Sequence, residues 1–182
     1  MKYRAAIIGC GRIGCGFDDD PKREYVATHA GAYHEAEGIR LVSLSDMDTG
    51  KLDKYGAKYG LDSSSLYTDY EEMLAREKPE ILSICTWSST HLEITERAVK
   101  AGVKAIFCEK PIAESIEDAR RMVKLCEDAG ALLFVDHQRR FDPMHQEVRD
   151  HISKGGIGEI RQVHVYYTAG IANTGSHVFD LL

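Results

Sequence analysis

Several features that mark other classes of protein are absent from this sequence. No apolar run in its 182 residues approaches the roughly 20 residues that span a bilayer. The first residues also lack the apolar stretch of a signal peptide, so we expect none. Positive charge is in short supply, because 23 lysines and arginines accompany 29 acidic residues and give a net charge of −6. We therefore expect no nucleic-acid partner and no membrane partner.

Paired cysteines are absent as well. The chain has five cysteines, an odd number with no CxxC pair, and they are Cys10, Cys15, Cys85, Cys108 and Cys126. Isolated thiols of this kind are typical of reduced, buried side chains in a cytoplasmic protein. We accordingly expect a cytoplasmic location, no disulfide and no metal site.

The sequence does contain a regular alternation of short apolar runs and segments with helical periodicity. Hydrophobic residues make up 43% of the chain and charged residues 29%, which is a globular composition. The apolar runs cover residues 5–8, 39–44, 81–85, 103–108 and 131–135. Such runs indicate strands buried on both faces. The sequence therefore predicts an α/β fold, with a doubly wound parallel sheet joined by right-handed crossovers.

Capping residues predict several helix ends. Asp69, Thr90 and Ser115 are predicted N-caps, each with a carboxylate three residues later. Gly102 and Gly130 stand where a left-handed residue ends a helix. The helix after Ser115 is expected to face the sheet with one apolar stripe, comprising Ile116, Ala119, Met122, Val123 and Cys126.

A glycine-rich loop follows the first predicted strand. Residues 9–14 read GCGRIG, a GxGxxG motif with Gly9, Gly11 and Gly14 at its fixed positions and Arg12 and Ile13 between the last two. Glycine is needed there for a tight turn, for close approach of the backbone to a pyrophosphate and for helix–strand contact. The N–H groups at a helix N-terminus then attract the anion. In its strand–helix context, the motif predicts a Rossmann domain that binds a dinucleotide.

An acid at the end of the second strand bears on the choice of cofactor. The carboxylate of Asp46 is placed to accept hydrogen bonds from the adenosine ribose and to repel a 2′-phosphate. No arginine lies between Arg40 and Arg76, so the usual partner of a 2′-phosphate is missing locally. NAD is therefore favoured over NADP. The alternative role for Asp46 is to cap the next turn.

The spacing between the glycine loop and this acid indicates an insertion. The acid lies 32 residues after the last glycine of the loop, against a usual distance of roughly 20. Residues 15–28 explain the excess, and the first helix is expected to resume near His29. The three aspartates at 18–20 are expected to point away from the pyrophosphate. Lys22 and Arg23 are interpreted as solvated, with contact to substrate or cofactor as the alternative.

A lysine follows the fifth predicted strand directly. Ligands of a doubly wound sheet bind outside the carboxyl ends of its strands, which places Lys110 toward the nicotinamide half of the crevice. A lysine there can donate a hydrogen bond to a reacting hydroxyl or exchange a proton with it. From spacing alone, an exposed lysine at a helix start is an equal alternative.

Six separated motifs occur together in one order. They are GCGRIG at 9–14, LSDMD at 44–48, TWSSTH at 86–91, CEKP at 108–111, RFDP at 140–143 and GSHVFD at 175–180. With this set the chain resembles the glucose–fructose oxidoreductase, inositol dehydrogenase and MocA family over nearly its whole length. The resemblance implies an NAD(P)-dependent oxidoreductase. Its reaction would be hydride transfer between the nicotinamide and a secondary hydroxyl of a sugar, cyclitol or sugar-nucleotide substrate.

The same resemblance implies roles for particular residues. Lys110 would hydrogen-bond the reacting oxygen, and His177 would be the acid/base that exchanges its proton. The residues implied to line the nicotinamide and its ribose are Glu109, Thr86, Trp87 and His91. Those expected in the substrate pocket are Arg140, Asn173 and Asp180, and Asp180 also lies where it could orient the imidazole of His177 or meet the cofactor.

Two positions depart from the family pattern. Members commonly carry aspartate where this chain has Asn173, and an asparagine cannot accept a proton as a base, so the base role falls on His177. The family turn usually reads Thr-Pro-Asn, whereas Trp87 follows Thr86 here. This tryptophan would stack on the nicotinamide, close a hydrophobic wall or pack in the core.

The end of the chain has a different pattern from the rest. Residues 160–168 alternate and are rich in valine and tyrosine, which predicts a strand, and a helix is predicted to begin at His177. The chain stops within an apolar run, so we expect it to be part of a longer polypeptide. We predict a dinucleotide-binding domain over residues 1–140, followed at 141–182 by a connecting helix and the first elements of a second α/β domain.

A second hypothesis comes from another functional class. Asn173 and the early end of the chain are also compatible with a non-catalytic NAD(H)-binding or regulatory module of the same fold. A methyltransferase is a weaker third reading, because it assigns no role to the lysine and histidine motifs. The substrate is expected to be a small polyol or sugar-type molecule. Exposed apolar residues expected at Val163, Val165 and 181–182 predict a homo-oligomer.

Overall fold

In the computed structural model, which describes residues 2–182, strands and helices alternate along most of the chain. The strands are β1 (Tyr3–Ile8), β2 (Ile39–Ser45), β3 (Leu66–Tyr67), β4 (Ile81–Ile84), β5 (Ala105–Cys108) and β6 (Leu132–Val135). The helices are α1 (His29–Glu35), α2 (Thr49–Tyr59), α3 (Tyr70–Glu77), α4 (Ser88–Lys100), α5 (Ile116–Ala129), α6 (Pro143–Ser153) and α7 (Ser176–Leu181). The six strands form one sheet in the order β3-β2-β1-β4-β5-β6, with every neighbouring pair parallel. The predicted doubly wound parallel sheet is confirmed.

The apolar runs form the central strands because their side chains are buried on both faces. Ile7 of β1 packs in one hydrophobic cluster, with residues of α1 and α2. Its neighbours Ala6 and Ile8 pack in the other cluster, with residues of α3, α4 and α5. Burying each large apolar side chain contributes about 1.5–3 kcal/mol. All five cysteines are buried in these layers, as expected.

Most of the predicted caps are confirmed. The side chains of Asp69 and Ser115 accept hydrogen bonds from backbone N–H groups of the first turns of α3 and α5. Gly102 and Gly130 have φ values of +85° and +67°, in the left-handed region. The prediction for Thr90 is wrong. Helix α4 begins two residues earlier, at Ser88, and the Thr90 hydroxyl lies inside the first turn, where it donates to the Trp87 carbonyl oxygen at 2.9 Å.

The apolar stripe predicted for α5 is only partly correct. Met122 and Cys126 are buried, but Ile116 is 73% exposed and Val123 is 41% exposed. The reason is the position of β6, which is the last strand of the sheet and is itself half exposed at Phe134. A helix over a sheet edge has less apolar surface to cover than one over the centre, so its buried stripe is narrower.

Two strand predictions differ from the structure. The short strand β3 was not predicted, because two residues are too few to form a recognisable run; it adds Leu66 and Tyr67 to the edge of β2. The strand predicted over 160–168 is wrong. None of the described strands pairs with this segment, and without a partner its backbone forms no ladder. Val163 and Val165 are 52% and 44% exposed, as expected.

The chain divides into two compact units. Unit 1 ends at Val135 and contains the sheet with α1–α5, and unit 2 runs from Asp136 to Leu182 and contains α6 and α7. In unit 2, α7 begins at Ser176, one residue before the predicted start at His177. No helix among the described residues is long and apolar enough to cross a membrane.

Candidate functional site

In unit 1 the carboxyl ends of the central strands carry three loops on one edge of the sheet. Three backbone hydrogen bonds extend the strand ladders one residue past their ends, donated by Gly9 to Ser45 (2.8 Å), by Cys85 to Ile8 (2.8 Å) and by Glu109 to Ile84 (2.9 Å). These bonds hold the first residues of the three loops level with one another. The glycine loop, the turn that begins at Thr86 and the segment that begins at Glu109 therefore meet at the edge where a doubly wound sheet binds its ligand.

The three glycines of the loop have different surroundings. A Cβ placed on Gly9 would lie 2.7 Å from the carbonyl carbon of Cys85, and one on Gly14 would lie 2.1 Å from the carbonyl oxygen of Gly9. A Cβ on Gly11 would meet no atom of the described residues within 4 Å. Gly9 and Gly14 are therefore required by packing inside the protein, whereas Gly11 borders open space. This arrangement fits a pyrophosphate lying against the loop.

The glycine loop is followed by short helical turns and not by a long helix. Residues Arg12–Gly16 and Phe17–Asp19 form two consecutive turns, and the regular helix α1 starts only at His29. The expected resumption near His29 is confirmed, with the side chain of Thr28 capping α1 by accepting from the Gly31 N–H at 3.0 Å. The first N–H groups of any helical turn lack intrahelical acceptors. The turn after Gly11 therefore still provides donors for an anion.

The carboxylate of Asp46 is bound to the glycine loop. Its Oδ2 accepts from the Cys10 N–H at 2.7 Å, and its Oδ1 accepts from the Asp48 N–H at 2.9 Å. The ammonium group of Lys51 lies 3.6 Å from Oδ1. A carboxylate has about four acceptor positions, so a ribose hydroxyl can still bind here. The bond from the Asp48 N–H also caps the turn after β2, so Asp46 has the capping role considered for it as well, while Asp48 is the N-cap of α2.

Two candidate residues after β4, Trp87 and His91, differ in their exposure to solvent. Trp87 is 85% exposed, which excludes the core-packing alternative. His91 is fully buried, and its ring nitrogens lie 3.1 Å from the carbonyl oxygens of Thr86 and Ile112. A fully buried ring has no surface to offer a ligand. The structure therefore gives His91 the role of holding two loops together, in place of the direct cofactor contact expected from the sequence.

Lys110 follows a buried glutamate. Glu109 is 8% exposed, and its Oε2 accepts a hydrogen bond from the backbone N–H of Lys110 at 3.2 Å. The peptide bond between Lys110 and Pro111 is cis. The Lys110 side chain is partly buried at the carboxyl end of β5. It thus occupies the strand end at which the sequence placed a reactive lysine.

A buried chain of polar side chains leads away from Glu109, and the sequence did not predict it. Glu109 Oε1 lies 3.1 Å from His29 Nε2, and His29 Nδ1 lies 2.8 Å from Ser83 Oγ. The same Ser83 hydroxyl lies 2.6 Å from the hydroxyl of Tyr33, whose pKa is raised to about 12 by burial. The chain fixes the glutamate through α1 and β4. The only sequence signal was a histidine at the start of a helix, a position that does not reveal tertiary partners.

Unit 2 contains the remaining candidate residues. His177 is buried at the start of α7, with its ring centroid 5.7 Å from that of His137 in an edge-to-face arrangement. Asp180 accepts a hydrogen bond from Arg140 Nε at 2.7 Å, so it is paired with this arginine. The backbone carbonyl of Asn173 accepts from the Ser176 hydroxyl at 2.8 Å. Two residues expected in the substrate pocket, Arg140 and Asp180, are therefore partners within this unit.

Comparisons with known proteins are consistent with this geometry. The family profile described as "Oxidoreductase family, NAD-binding Rossmann fold" matches residues 3–137. The D-apiose dehydrogenase of Paraburkholderia graminis is 36% identical over 86% of this chain and 38% of its own length. The inositol 2-dehydrogenase of Rhizobium meliloti is 34% identical over 90% of this chain and 44% of its own length.

Solved structures of dehydrogenases are also similar to this chain. The WlbA dehydrogenase from Bordetella pertussis, solved in complex with NADH and UDP-GlcNAcA, superposes with a TM-score of 0.82 at 28% identity. That match covers 100% of this chain and 57% of the other. The myo-inositol 2-dehydrogenase from Lactobacillus plantarum superposes with a TM-score of 0.75 at 26% identity. The chain spans about 40% of the length of the two curated relatives above.

Proposed function

The chain belongs to the NAD-binding oxidoreductase family of glucose–fructose oxidoreductase, inositol dehydrogenase and MocA, and from this we propose that it works as an NAD-dependent dehydrogenase. The reaction would be hydride transfer between the nicotinamide and a secondary hydroxyl of a cyclitol, sugar or sugar-nucleotide substrate. One observation carries the proposal: the glycine loop, the Thr86 turn and Lys110 share the carboxyl edge of the parallel sheet. Named relatives that are dehydrogenases of sugars and inositol support the substrate class.

The cofactor would be held mainly by backbone groups. The residues proposed to contact the pyrophosphate are Gly9, Gly11, Arg12, Ile13 and Gly14, with Gly11 bordering open space. Asp46 would accept hydrogen bonds from the adenosine ribose, which favours NAD over NADP. Thr86, Trp87 and Glu109 would lie on the nicotinamide side. The bound cofactor supplies or accepts the hydride.

The proton of the reacting hydroxyl would be handled by side chains. Lys110 would donate a hydrogen bond from Nζ to the reacting oxygen, which stabilises developing negative charge on that oxygen. His177 would accept the hydroxyl proton during oxidation and return it during reduction. Asn173 cannot serve as a base. Arg140 and Asp180 would act on the substrate side as a hydrogen-bonded pair.

The test uses the whole native polypeptide and has two measurements. Calorimetric titration with NADH and NADPH measures cofactor binding and preference. Absorbance of the reduced nicotinamide measures turnover with a panel of cyclitols, aldoses and UDP-sugars. Binding of NADH together with turnover of at least one substrate class is the expected result. Tight binding without any turnover would favour the non-catalytic module, and absence of binding would exclude both.

We also propose that the chain self-associates and works in the cytoplasm. Apolar side chains exposed in unit 2 support self-association, since Val163, Val165 and Leu182 are between 44% and 74% exposed. Five buried thiols support a reducing compartment. Light scattering over a concentration series should give a mass above that of one chain, and a constant monomer mass would contradict the first proposal.

A further inference from the structure

The insertion after the glycine loop places two cations on one aromatic ring. The guanidinium carbon of Arg12 lies 4.6 Å from the centroid of the Phe17 ring, and that of Arg23 also lies 4.6 Å from it. Arg12 belongs to the glycine loop, whereas Phe17 and Arg23 belong to the insertion, residues 15–28. The ring attracts both cations through its π electrons. The insertion therefore brings a second guanidinium group to the glycine loop.

Among the described residues, no carboxylate lies within ion-pair distance of Arg12 or Arg23. In addition, the Nε of Arg23 is buried and has no hydrogen-bond partner among those residues. Two like charges on one ring repel each other, and a buried donor without an acceptor costs about 1–3 kcal/mol. An anion placed at this pair would offset the repulsion between the two guanidinium groups.

The aspartates of the insertion do not provide this anion, because each has other partners. Asp18 accepts from the Ala27 N–H at 2.7 Å and from the Thr28 hydroxyl. Asp20 accepts from the Lys22 N–H at 3.0 Å. Asp19 is bound by three groups of α2, which are the Tyr55 hydroxyl at 2.9 Å and the ammonium groups of Lys54 and Lys58, each at 2.8 Å. These three carboxylates are thus bound within the insertion and by α2, and none of them forms an ion pair with Arg23.

We propose that the insertion is part of the cofactor site, and that Arg23, seated with Arg12 on the Phe17 ring, binds a phosphate of the dinucleotide. This inference rests on the proposed function. The guanidinium fork matches the geometry of a phosphate, and the neighbouring glycine loop is where the pyrophosphate is expected. The phosphate is either the pyrophosphate, common to NADH and NADPH, or the 2′-phosphate present only in NADPH. The sequence analysis interpreted both Lys22 and Arg23 as solvated residues. The structure distinguishes them, because Arg23 lies over the Phe17 ring.

The test compares two charge-removing variants of the same loop in the full chain. Arg23→Gln removes the guanidinium on the ring, and Lys22→Gln removes an exposed neighbouring charge that has no ring contact. Calorimetric titrations with NADH, NADPH, ADP and adenosine at low and high salt measure affinity. Thermal unfolding of each variant verifies that it folds as the parent does. Phe17→Leu changes no charge but removes the aromatic ring that both arginines contact, so it tests whether this contact positions them for binding.

Arg23→Gln should weaken NADH binding roughly tenfold, the size of one charge-assisted hydrogen bond, while Lys22→Gln changes it less than twofold. The affinity of Arg23→Gln for ADP should fall by a similar factor, and its affinity for adenosine should not change. The salt dependence of its NADH affinity should be shallower than that of the parent. Phe17→Leu should weaken NADH binding several-fold. A loss confined to NADPH assigns Arg23 to the 2′-phosphate, and a loss for both cofactors assigns it to the pyrophosphate.

The inference and the proposed function fail in different ways. If the parent chain binds NADH and both glutamine variants bind it equally well, Arg23 is not a phosphate ligand and the proposed function is unaffected. If the parent chain binds neither NADH nor NADPH, the proposed function is wrong and this inference is wrong with it.

Discussion

Lys110 lies at the end of a series of constrained residues. Its backbone N–H is bound by the Glu109 side chain, which in turn meets His29 in the interior of unit 1. A buried carboxylate needs such partners, because an unpaired charge in a low-dielectric interior is costly. The position of the lysine is therefore set by side chains far away in the sequence, on α1 and β4.

The first prediction concerns the role of Lys110 itself. In the whole native polypeptide, Lys110→Met should reduce turnover by roughly 10²–10⁴-fold and leave NADH affinity within a few-fold of the parent. Steady-state kinetics and calorimetry measure the two effects. Lys104→Met is the matched control, since Lys104 is exposed near the opposite end of β5 and pairs with Glu80 at 3.1 Å. Turnover that is unchanged in Lys110→Met would remove the catalytic role.

A second prediction uses two fully buried serines to test the polar chain. Ser83→Ala should lower the free energy of unfolding by about 1–3 kcal/mol, because His29 and Tyr33 both lose a buried hydrogen-bond partner. Ser43→Ala is the control, since the Ser43 hydroxyl has no partner among the described residues. Its replacement should be neutral or stabilising. Urea unfolding measures the free energy of unfolding of both variants. Equal losses of stability in Ser83→Ala and Ser43→Ala would contradict a stabilising role for the buried polar side chains.

At the level of structural elements, the glycine loop combines two requirements. Gly9 and Gly14 allow the loop to pack against β4 and against itself, while Gly11 leaves room for a ligand. The same GxGxxG pattern thus contains residues needed for folding and a residue needed for binding. Their different surroundings make the two requirements separable by mutation.

The third prediction separates them. Gly14→Ala should destabilise the fold severely, because its Cβ would lie 2.1 Å from a backbone oxygen that cannot move without distorting β1. Gly11→Ala should keep the parent unfolding midpoint and weaken NADH binding about tenfold or more, since the methyl group occupies the space of the pyrophosphate. Circular dichroism during heating and calorimetric titration measure these outcomes. Normal NADH affinity in Gly11→Ala would show that the ligand lies elsewhere.

At the level of the whole molecule, the buried thiols couple stability to pH. Burial raises the pKa of Cys108, with the charge of Glu109 adding to it. A hydrogen bond with Cys15, together with burial, raises the pKa of Cys10. In the unfolded chain both thiols titrate near pH 8.5. Above that pH the unfolded state therefore releases protons that the folded state retains.

The fourth prediction follows from this difference in proton binding between the folded and unfolded states. The free energy of unfolding should be independent of these thiols below about pH 7.5 and should fall as pH rises above about 8.5. Each thiol contributes up to ~1.4 kcal/mol per pH unit to this loss. Urea unfolding at pH 7.5, 8.5 and 9.5 measures it, and Cys108→Ala should have a shallower slope than the parent. A flat profile in the parent would contradict the assignment.

Several local structures could be predicted from the sequence, and the exceptions have a common cause. The strand runs, the caps at Asp69 and Ser115 and the start of α1 are local patterns, and all are confirmed. The wrong predictions depended on distant partners. Residues 160–168 alternate like a strand but have no described strand beside them, and Val123 faces outward because α5 covers a sheet edge. The catalytic and cofactor roles of the candidate residues stay predictions.

The sequence by itself determined the alternation of helices and strands in unit 1 apart from the short β3, together with the glycine loop and the acid and lysine at the strand ends. Each of these depends on backbone conformation and hydrophobic periodicity within a short segment. Only the tertiary structure decided which side chains meet. It buried His91, paired Asp180 with Arg140, joined Glu109 to His29 and placed Arg12 and Arg23 on one ring. Most of these contacts join residues far apart in the chain, and they form only when the packing within each unit fixes where its segments lie.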